Sequence, residues 1–149
     1  MPAKEMDTGE LLDKIIKTAS INRFIKRHGE NMNPVSFSSY LNDLCTKKNT
    51  VPAHVIEKSG IERTFGHQIF NGRRKPSRDK VIQLAVGFEM DYTDAQGLLT
   101  AARKSTLYPK IKRDAVVIYA LEKKLSFFDI QETLSELSLP LIGEEGDNG

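Results

Sequence analysis

The stretch PAHVIEKSGIERTFGHQIFNG, from Pro52 to Gly72, decides the fold that we predict for this chain. Pro52 suits the first turn of a helix, because the N–H group that it lacks would be unpaired there. Eight residues later Gly60 can adopt positive φ, so that Ile61 can enter the core between two helices. A second helix is predicted over residues 62–71, and Gly72 supplies its left-handed stop. The stretch therefore predicts two steeply crossed helices joined by a tight turn.

Helical spacing of apolar residues continues along most of the chain, which indicates an all-α protein. Ser36 and Ser77 stand at positions typical of helix N-caps, whereas residues 28–34 read as a loop. The 149 residues are 39% apolar, which is enough for one modest core. We predict an N-terminal helical extension at 1–34, a five-helix unit at 35–104, a C-terminal helical hairpin at 105–140 and a disordered acidic tail at 141–149.

An internal repeat relates residues 78–99 to residues 113–134, with an offset of 35 positions. Seven of the 22 aligned positions are identical, and each copy reads as a helix, a short turn and a helix. Asp91 and Ser126 each precede an acid by three residues, which is the spacing of a capping box with Asp in place of the usual Glu. The β-branched segment AVVIYAL at 115–121 is predicted to be a buried helix, because its counterpart is helical. Chance similarity between two amphipathic hairpins is the alternative explanation of the repeat.

Charge is distributed unevenly along the chain, although the net charge is only +2. From Lys58 to Arg113 there are 12 Lys or Arg residues against 5 Asp or Glu residues. From Leu125 to Gly149 there are 6 acids and no Lys or Arg. The basic block favours binding to a polyanion. The alternative, that charged residues simply keep the helices solvated, explains scattered charges well but clustered charges poorly.

The order of these features resembles the phage-repressor-like (Xre/Cro, lambda-repressor-like) helix-turn-helix family. The matching parts are the Gly-Ile turn at 60–61, the sequence IFNG at 69–72 and the basic sequence RKPS at 74–77. The resemblance covers roughly residues 36–102. It implies a five-helix lambda-repressor-like helix-turn-helix unit, which N-terminal helices and a C-terminal helical hairpin would extend.

The resemblance also implies a transcription regulator that binds double-stranded DNA with its second motif helix in the major groove. Residues at the matching positions of that helix would contact bases: Arg63, Thr64, His67 and Gln68. Residues at and beyond its end would contact phosphates: Asn71, Arg73, Arg74, Lys75 and Arg78. Outside such a motif, Arg63 and Gln68 would read as ordinary surface residues.

A homodimer on two-fold-related half-sites is also implied by the resemblance, because one recognition helix reads only a few base pairs. The N-terminal helices and the acidic C-terminal hairpin are the candidate dimer surfaces. We favour the hairpin, since AVVIYAL is apolar on more than one face.

Three features depart from the family pattern. Glu62 stands where Ser or Thr usually caps the recognition helix, and Ser59 replaces an apolar residue before the turn. Ile56 and Gly66 exchange a small and a large residue, which we interpret as a volume-preserving swap across one contact.

The alternative function is a protein-interaction module, such as an antitoxin or a signalling adaptor, on the same scaffold. The acids of the C-terminal hairpin would then bind another protein: Asp129, Glu132 and Glu136. RNA binding is less favoured, because no surface for stacking single-stranded bases is visible.

Other classes of function find little support in the sequence. The 3 His residues and Cys45 lack the spacing of metal ligands, and no nucleophile–base set or P-loop is present. We therefore predict no enzyme, no catalytic residue, no metal and no cofactor. The chain lacks a long apolar stretch and the apolar core of a signal peptide, and it has a single cysteine. These features predict a cytoplasmic protein. If the protein also binds DNA as the resemblance implies, we expect it to be bacterial and associated with the nucleoid.

Overall fold

The fold is all-α. The computed structural model describes residues 7–33 and 35–143, which contain nine α-helices and one short 3₁₀-helix and no β-strand. The helices are α1 (Thr8–Lys17), α2 (Ile21–His28), α3 (Phe37–Lys47), α4 (Pro52–Ser59), α5 (Arg63–Phe70), α6 (Arg78–Gly87), α7 (Tyr92–Ala101), α8 (Lys112–Glu122) and α9 (Phe127–Glu136), and the 3₁₀-helix is Gly29–Asn31. Within the described ranges, no helix combines the length and the apolar character that crossing a membrane requires.

The chain divides into two compact units, an N-terminal unit at Met1–Val35 and a C-terminal unit at Ser36–Gly149. The division lies one residue from the predicted end of the N-terminal extension. The hairpin predicted at 105–140 belongs to the C-terminal unit, because Ile130 of α9 lies in the same hydrophobic cluster as Val55 of α4 and Ile69 of α5. The hairpin and the α4–α5 pair are therefore parts of one folded body.

The predicted helix ends are confirmed where a polar cap was expected. Four side chains accept a hydrogen bond from the backbone N–H three residues later: Ser36, Ser77, Asp91 and Ser126. Pro52 occupies the first turn of α4, as predicted. The segment AVVIYAL lies within α8, and Val117 and Leu121 are buried there, so its interpretation as a helix is also confirmed.

The internal repeat reappears as a repeated set of hydrogen bonds, and it extends beyond the aligned residues. The Gln96 amide donates to the carbonyl of Leu107 at 3.0 Å and accepts from its N–H at 2.7 Å. Gln131, 35 positions later, makes the same two bonds to Ile142, at 2.8 Å and 2.9 Å. Ile142 is buried. Residues 141–143 therefore belong to the fold and not to the tail predicted from residue 141; positions 144–149 of that tail lie outside the described residues.

Crossed ion pairs join the starts of the two copies. The guanidinium of Arg78 binds Asp114 of the second copy at 3.1 Å and 2.9 Å, and that of Arg113 binds Asp79 of the first at 2.8 Å and 2.7 Å. Each Arg also donates to two backbone carbonyls that follow its own copy. Arg78 binds those of Ser105 and Thr106, and Arg113 binds those of Pro140 and Leu141. Such an exchange of partners is what a local two-fold relation between the copies produces. Chance similarity would not predict it.

Candidate nucleic-acid interface

The turn between α4 and α5 has the predicted conformation. Gly60 has a φ of 75°, and Ile61 is buried directly after it. A Cβ atom added at Gly60 would overlap the ring of Phe127 at the start of α9. Glycine is therefore required at this turn both by the backbone conformation and by the close approach of the C-terminal hairpin.

Ser59 fits the turn because its hydroxyl is fully satisfied. The side chain is buried, and its Oγ donates to the carbonyl of Ile56 at 2.6 Å and accepts from the N–H of Ile61 at 3.1 Å. The carbonyl of Ser59 accepts from the side-chain amide of Gln83 in α6 at 3.2 Å. Ser59 therefore stabilises the turn through hydrogen bonds, and none of its buried polar groups is left unpaired.

The crossing of α4 and α5 depends on the pair that we interpreted as a swap. A Cβ atom added at Gly66 would lie 2.6 Å and 2.8 Å from the Cγ2 and Cγ1 atoms of Ile56. Both residues are buried. The large residue of α4 therefore occupies the space that a side chain on α5 would take, in agreement with the predicted exchange.

Glu62 caps α5 in place of Ser or Thr. Its carboxylate accepts from the N–H of Thr64 at 2.9 Å and from the N–H of Phe65 at 2.8 Å. These bonds, the one from Phe65 first, lower the pKa of Glu62. The negative charge is thus held by the free amides at the start of the helix, where the helix dipole stabilises it.

The outer face of α5 carries the four residues that were predicted to contact bases. Arg63 and Thr64 are exposed, and His67 and Gln68 are half-buried. Arg63 and His67 are four positions apart, as are Thr64 and Gln68, so the two pairs lie side by side on one face of the helix. The opposite face is buried in the core through Gly66, Ile69 and Phe70.

The basic segment after α5 is exposed at Arg73, Arg74 and Lys75, as is Asn71. Asn71 shapes the segment, since its Oδ1 accepts from the N–H of Arg73 at 3.0 Å. Arg74 donates from Nε to Gln68 Oε1 at 2.8 Å, and its guanidinium lies 4.8 Å from the ring centroid of Phe65. The structure therefore connects a predicted base-contacting side chain directly to a predicted phosphate-contacting one.

Arg78 has partners other than the phosphates that were expected for it. Its Nε, Nη1 and Nη2 atoms donate to the carboxylate of Asp114 and to two backbone carbonyls, and its side chain is 25% exposed. A guanidinium engaged in this way has little capacity left for a phosphate. We therefore correct the predicted set by removing Arg78, which holds the two repeat copies together.

Two residues near α5 were missed by the sequence analysis. Asn42 of α3 donates from Nδ2 to the carbonyl of Phe70 at 2.9 Å, which fixes the end of α5 against α3. Lys80 lies with its Nζ 5.6 Å from the ring centroid of Phe65, so it adds a cation beside α5. Lys80 belongs to the basic block, but nothing in the spacing of Asn42 indicates its role.

The described residues offer no sign of a metal centre or a reactive thiol. No group of three His, Cys, Asp or Glu side chains among them could hold a metal ion. Cys45 is buried, and burial raises the pKa of its thiol, so that the thiol stays protonated at neutral pH. Its place in the hydrophobic cluster makes it a core residue.

Comparison of the chain with protein-family models, with curated proteins and with solved structures finds no match. Membership of the phage-repressor-like family therefore stays a prediction. The function has to be inferred from the α4–α5 pair and from the charges around it.

Proposed function

We propose that this protein binds double-stranded DNA sequence-specifically and regulates transcription, with α5 as a recognition helix in the major groove. One observation carries the proposal: α5 buries one face in the core and presents Arg63 and Thr64 on the other, with exposed Arg73, Arg74 and Lys75 directly after its end. The major groove is wide enough for one helix and is bordered by phosphates. Cations past the helix end would lie beside those phosphates.

The division of roles follows the positions of the side chains. Arg63 at the start of α5 would bind a guanine edge, and Thr64 would offer a hydroxyl or a methyl group to a neighbouring base. Gln68 would have to exchange its bond with Arg74 for a bond to adenine, so Arg74 would turn toward a phosphate at the same step. His67 lies between Thr64 and Gln68 on the same face and would contact a base beside them.

Phosphate contacts would come from the segment that follows α5. Among the described residues, none accepts a hydrogen bond from the side-chain nitrogens of Arg73 or Lys75, and none forms an ion pair with them. These charges would therefore bind an anion without breaking an internal contact. Helices α3 to α7 would form the five-helix lambda-repressor-like unit, and a bacterial cytoplasmic, nucleoid-associated location would accompany this function.

A homodimer would place two copies of α5 in successive major grooves. The half-sites would then lie about 34 Å apart, which is one turn of B-DNA, or a multiple of that distance. The favoured dimer surface, AVVIYAL, proves to be largely used within the chain. Val117, Ala120 and Leu121 are buried, and Val116 and Ile118 pack against the core, which leaves Tyr119 as its exposed large side chain.

The proposal is tested by selecting bound sequences from a random pool of DNA duplexes. We expect a palindromic consensus and an affinity that falls steeply with salt. Arg63→Ala should relax the preference at one base position in each half-site, at a cost of about 1–3 kcal/mol. Lys75→Ala should weaken binding to all sequences alike and reduce the salt slope by about one phosphate contact.

Lys123→Ala is the matched control, since it removes one exposed charge outside the basic block of residues 58–113. It should leave both the consensus and the salt slope unchanged. Equal behaviour of Arg63→Ala and Lys75→Ala would contradict the division of roles. Absence of salt-dependent binding by a folded protein would contradict DNA binding itself.

A protein-interaction module is the second candidate, and one feature of α9 favours it. Phe128 is 72% exposed, and the exposed acids Asp129, Glu132 and Glu136 follow it on the same helix. An exposed aromatic side chain bordered by charge is typical of a docking surface. A folded protein with little affinity for duplex DNA at physiological salt would favour this function.

A further inference from the structure

A cavity of about 240 Å³ lies between the two repeat copies, beside the ends of α6 and α8. Three pairs of residues that are equivalent in the repeat line it: Val86 and Leu121, Glu89 and Lys124, and Met90 and Leu125. The crossed ion pairs join the opposite ends of the same two helices. The cavity is therefore formed mainly by equivalent residues that the local two-fold relation brings together.

The buried part of the cavity lining is apolar. Val86, Met90 and Leu121 are 7%, 2% and 3% exposed, and Leu125 is half-buried. Pockets for small molecules are typically apolar, with a few polar groups that fix the orientation of the ligand. The volume is below the range of about 300–1,000 Å³ that is typical of drug-sized ligands, so a smaller molecule with an apolar body fits this cavity.

Two ammonium groups and one carboxylate border the cavity. Lys58 of α4 lies with its Nζ 3.3 Å from Glu89 Oε1, and the two side chains are 55% and 62% exposed. Lys124 Nζ donates to the backbone carbonyl of Glu89 at 2.6 Å. Among the described residues, no carboxylate forms an ion pair with Lys124. The border of the cavity therefore carries one positive charge more than it carries negative charge.

A carboxylate is the group that fits these two lysines. An ammonium group has three donors, and Lys124 uses one of them for the carbonyl of Glu89. The pair of Lys58 and Glu89 is exposed and contributes little to stability, so Lys58 can turn to another carboxylate at small cost. An amine would be repelled by both lysines, and an uncharged molecule would leave the excess charge without a partner.

We infer that this cavity binds a small carboxylic acid with an apolar body. Lys58 and Lys124 hold its carboxylate, while the apolar body packs against Met90 and Leu121. The inference goes beyond the proposed function and does not depend on it, because every residue that it uses lies outside α5.

The test follows the backbone amide signals of the isotopically labelled full-length protein by nuclear magnetic resonance while phenylacetate is added. Isocaproate is the second probe, with an aliphatic body in place of the ring. The signals of Glu89, Lys124 and Leu125 should shift and should saturate with each acid, since these residues line the cavity.

Two further probes separate the contributions of charge and apolar body. Phenylacetamide keeps the ring but has no charge, and acetate keeps the charge but has no ring. Each should bind at least about tenfold more weakly than phenylacetate, because one loses the charged hydrogen bonds and the other loses the buried apolar surface.

Lys124→Gln tests the site from the side of the protein. It removes a charge at an exposed residue and keeps a side chain that can donate a hydrogen bond. It should weaken binding of phenylacetate at least about tenfold and leave binding of phenylacetamide unchanged. Lys123→Gln is the matched control, because it removes the neighbouring exposed charge, which does not line the cavity. It should leave binding of both molecules unchanged.

Three results would overturn the inference: no saturable shift with either acid, binding of phenylacetamide or acetate as tight as that of phenylacetate, or equal effects of Lys124→Gln and Lys123→Gln. Duplex DNA plays no part in these measurements. Failure of the proposed function would therefore leave the binding site intact, and failure of the binding site would leave the proposed function untouched.

Discussion

Replacing Gly66 by alanine tests the contact that sets the crossing of α4 and α5. The new Cβ would lie 2.6 Å and 2.8 Å from side-chain carbons of Ile56, which is 3% exposed in a closed core. Overpacking of this kind costs about 1–3 kcal/mol. Alanine is a better helix former than glycine by about 1 kcal/mol. We therefore expect Gly66→Ala to lower the free energy of unfolding by about 0–2 kcal/mol, which combines these two effects.

The same substitution should have the opposite sign once Ile56 is shortened. The atoms that crowd Gly66 are Cγ1, Cγ2 and Cδ1 of Ile56, and Ile56→Ala removes all three. Only the gain in helix propensity then remains, so Gly66→Ala should stabilise the Ile56→Ala protein by about 1 kcal/mol. The coupling between the two sites is therefore expected to be about 1–3 kcal/mol. Urea unfolding of all four proteins, followed by circular dichroism, measures it.

Gly97→Ala is the matched control for this cycle. Gly97 is an exposed residue of α7, and an added Cβ there would meet no atom within 4 Å. It should stabilise the protein by about 1 kcal/mol both with and without the Ile56 side chain. If Gly66→Ala also behaved identically in both backgrounds, α4 and α5 would not meet at this contact and the reasoning would be refuted.

Three further predictions concern charged residues of the C-terminal unit. Asp79→Asn should destabilise the protein at neutral pH by on the order of 3 kcal/mol, because Arg113 loses its carboxylate partner at a largely buried site. Burial raises the pKa of Asp79, but the bonds from Arg113 and from a backbone N–H outweigh this effect and lower it. The stability that the Asp79 carboxylate contributes is therefore present above about pH 4 and is lost as the pH falls through its lower folded pKa. Urea titrations should give variant and wild type the same free energy of unfolding in acid. A difference in that free energy that stays constant with pH would contradict the assignment. Glu62→Ala should speed hydrogen exchange of the first amides of α5 while Glu57→Ala, its control, should not. Arg78→Ala should lower the melting temperature yet leave the salt slope of DNA binding unchanged, and a reduced slope would return Arg78 to the phosphate set.

Local features of this protein were determined by the sequence alone. The cap at Ser77, the left-handed turn at Gly60 and the start of α4 at Pro52 were predicted from adjacent residues, because φ preferences and capping bonds act over one to four positions. The packing of Ile56 on Gly66 was predicted from the resemblance to the phage-repressor-like family, because this chain has a large and a small residue where the family pattern has a small and a large one. The 35-residue repeat predicted α8 as a helix against its strand-like composition.

Only the tertiary structure decided the roles of the arginines. Arg74 and Arg78 belong to one basic block, but Arg74 is exposed beside α5 whereas Arg78 binds Asp114, 36 positions away. The function of a guanidinium depends on which acceptors surround it, and sequence spacing does not report acceptors so distant along the chain. The matching Arg-Asp pairs at the start of each repeat copy were visible, but their exchange between copies follows from the way in which the two hairpins face each other.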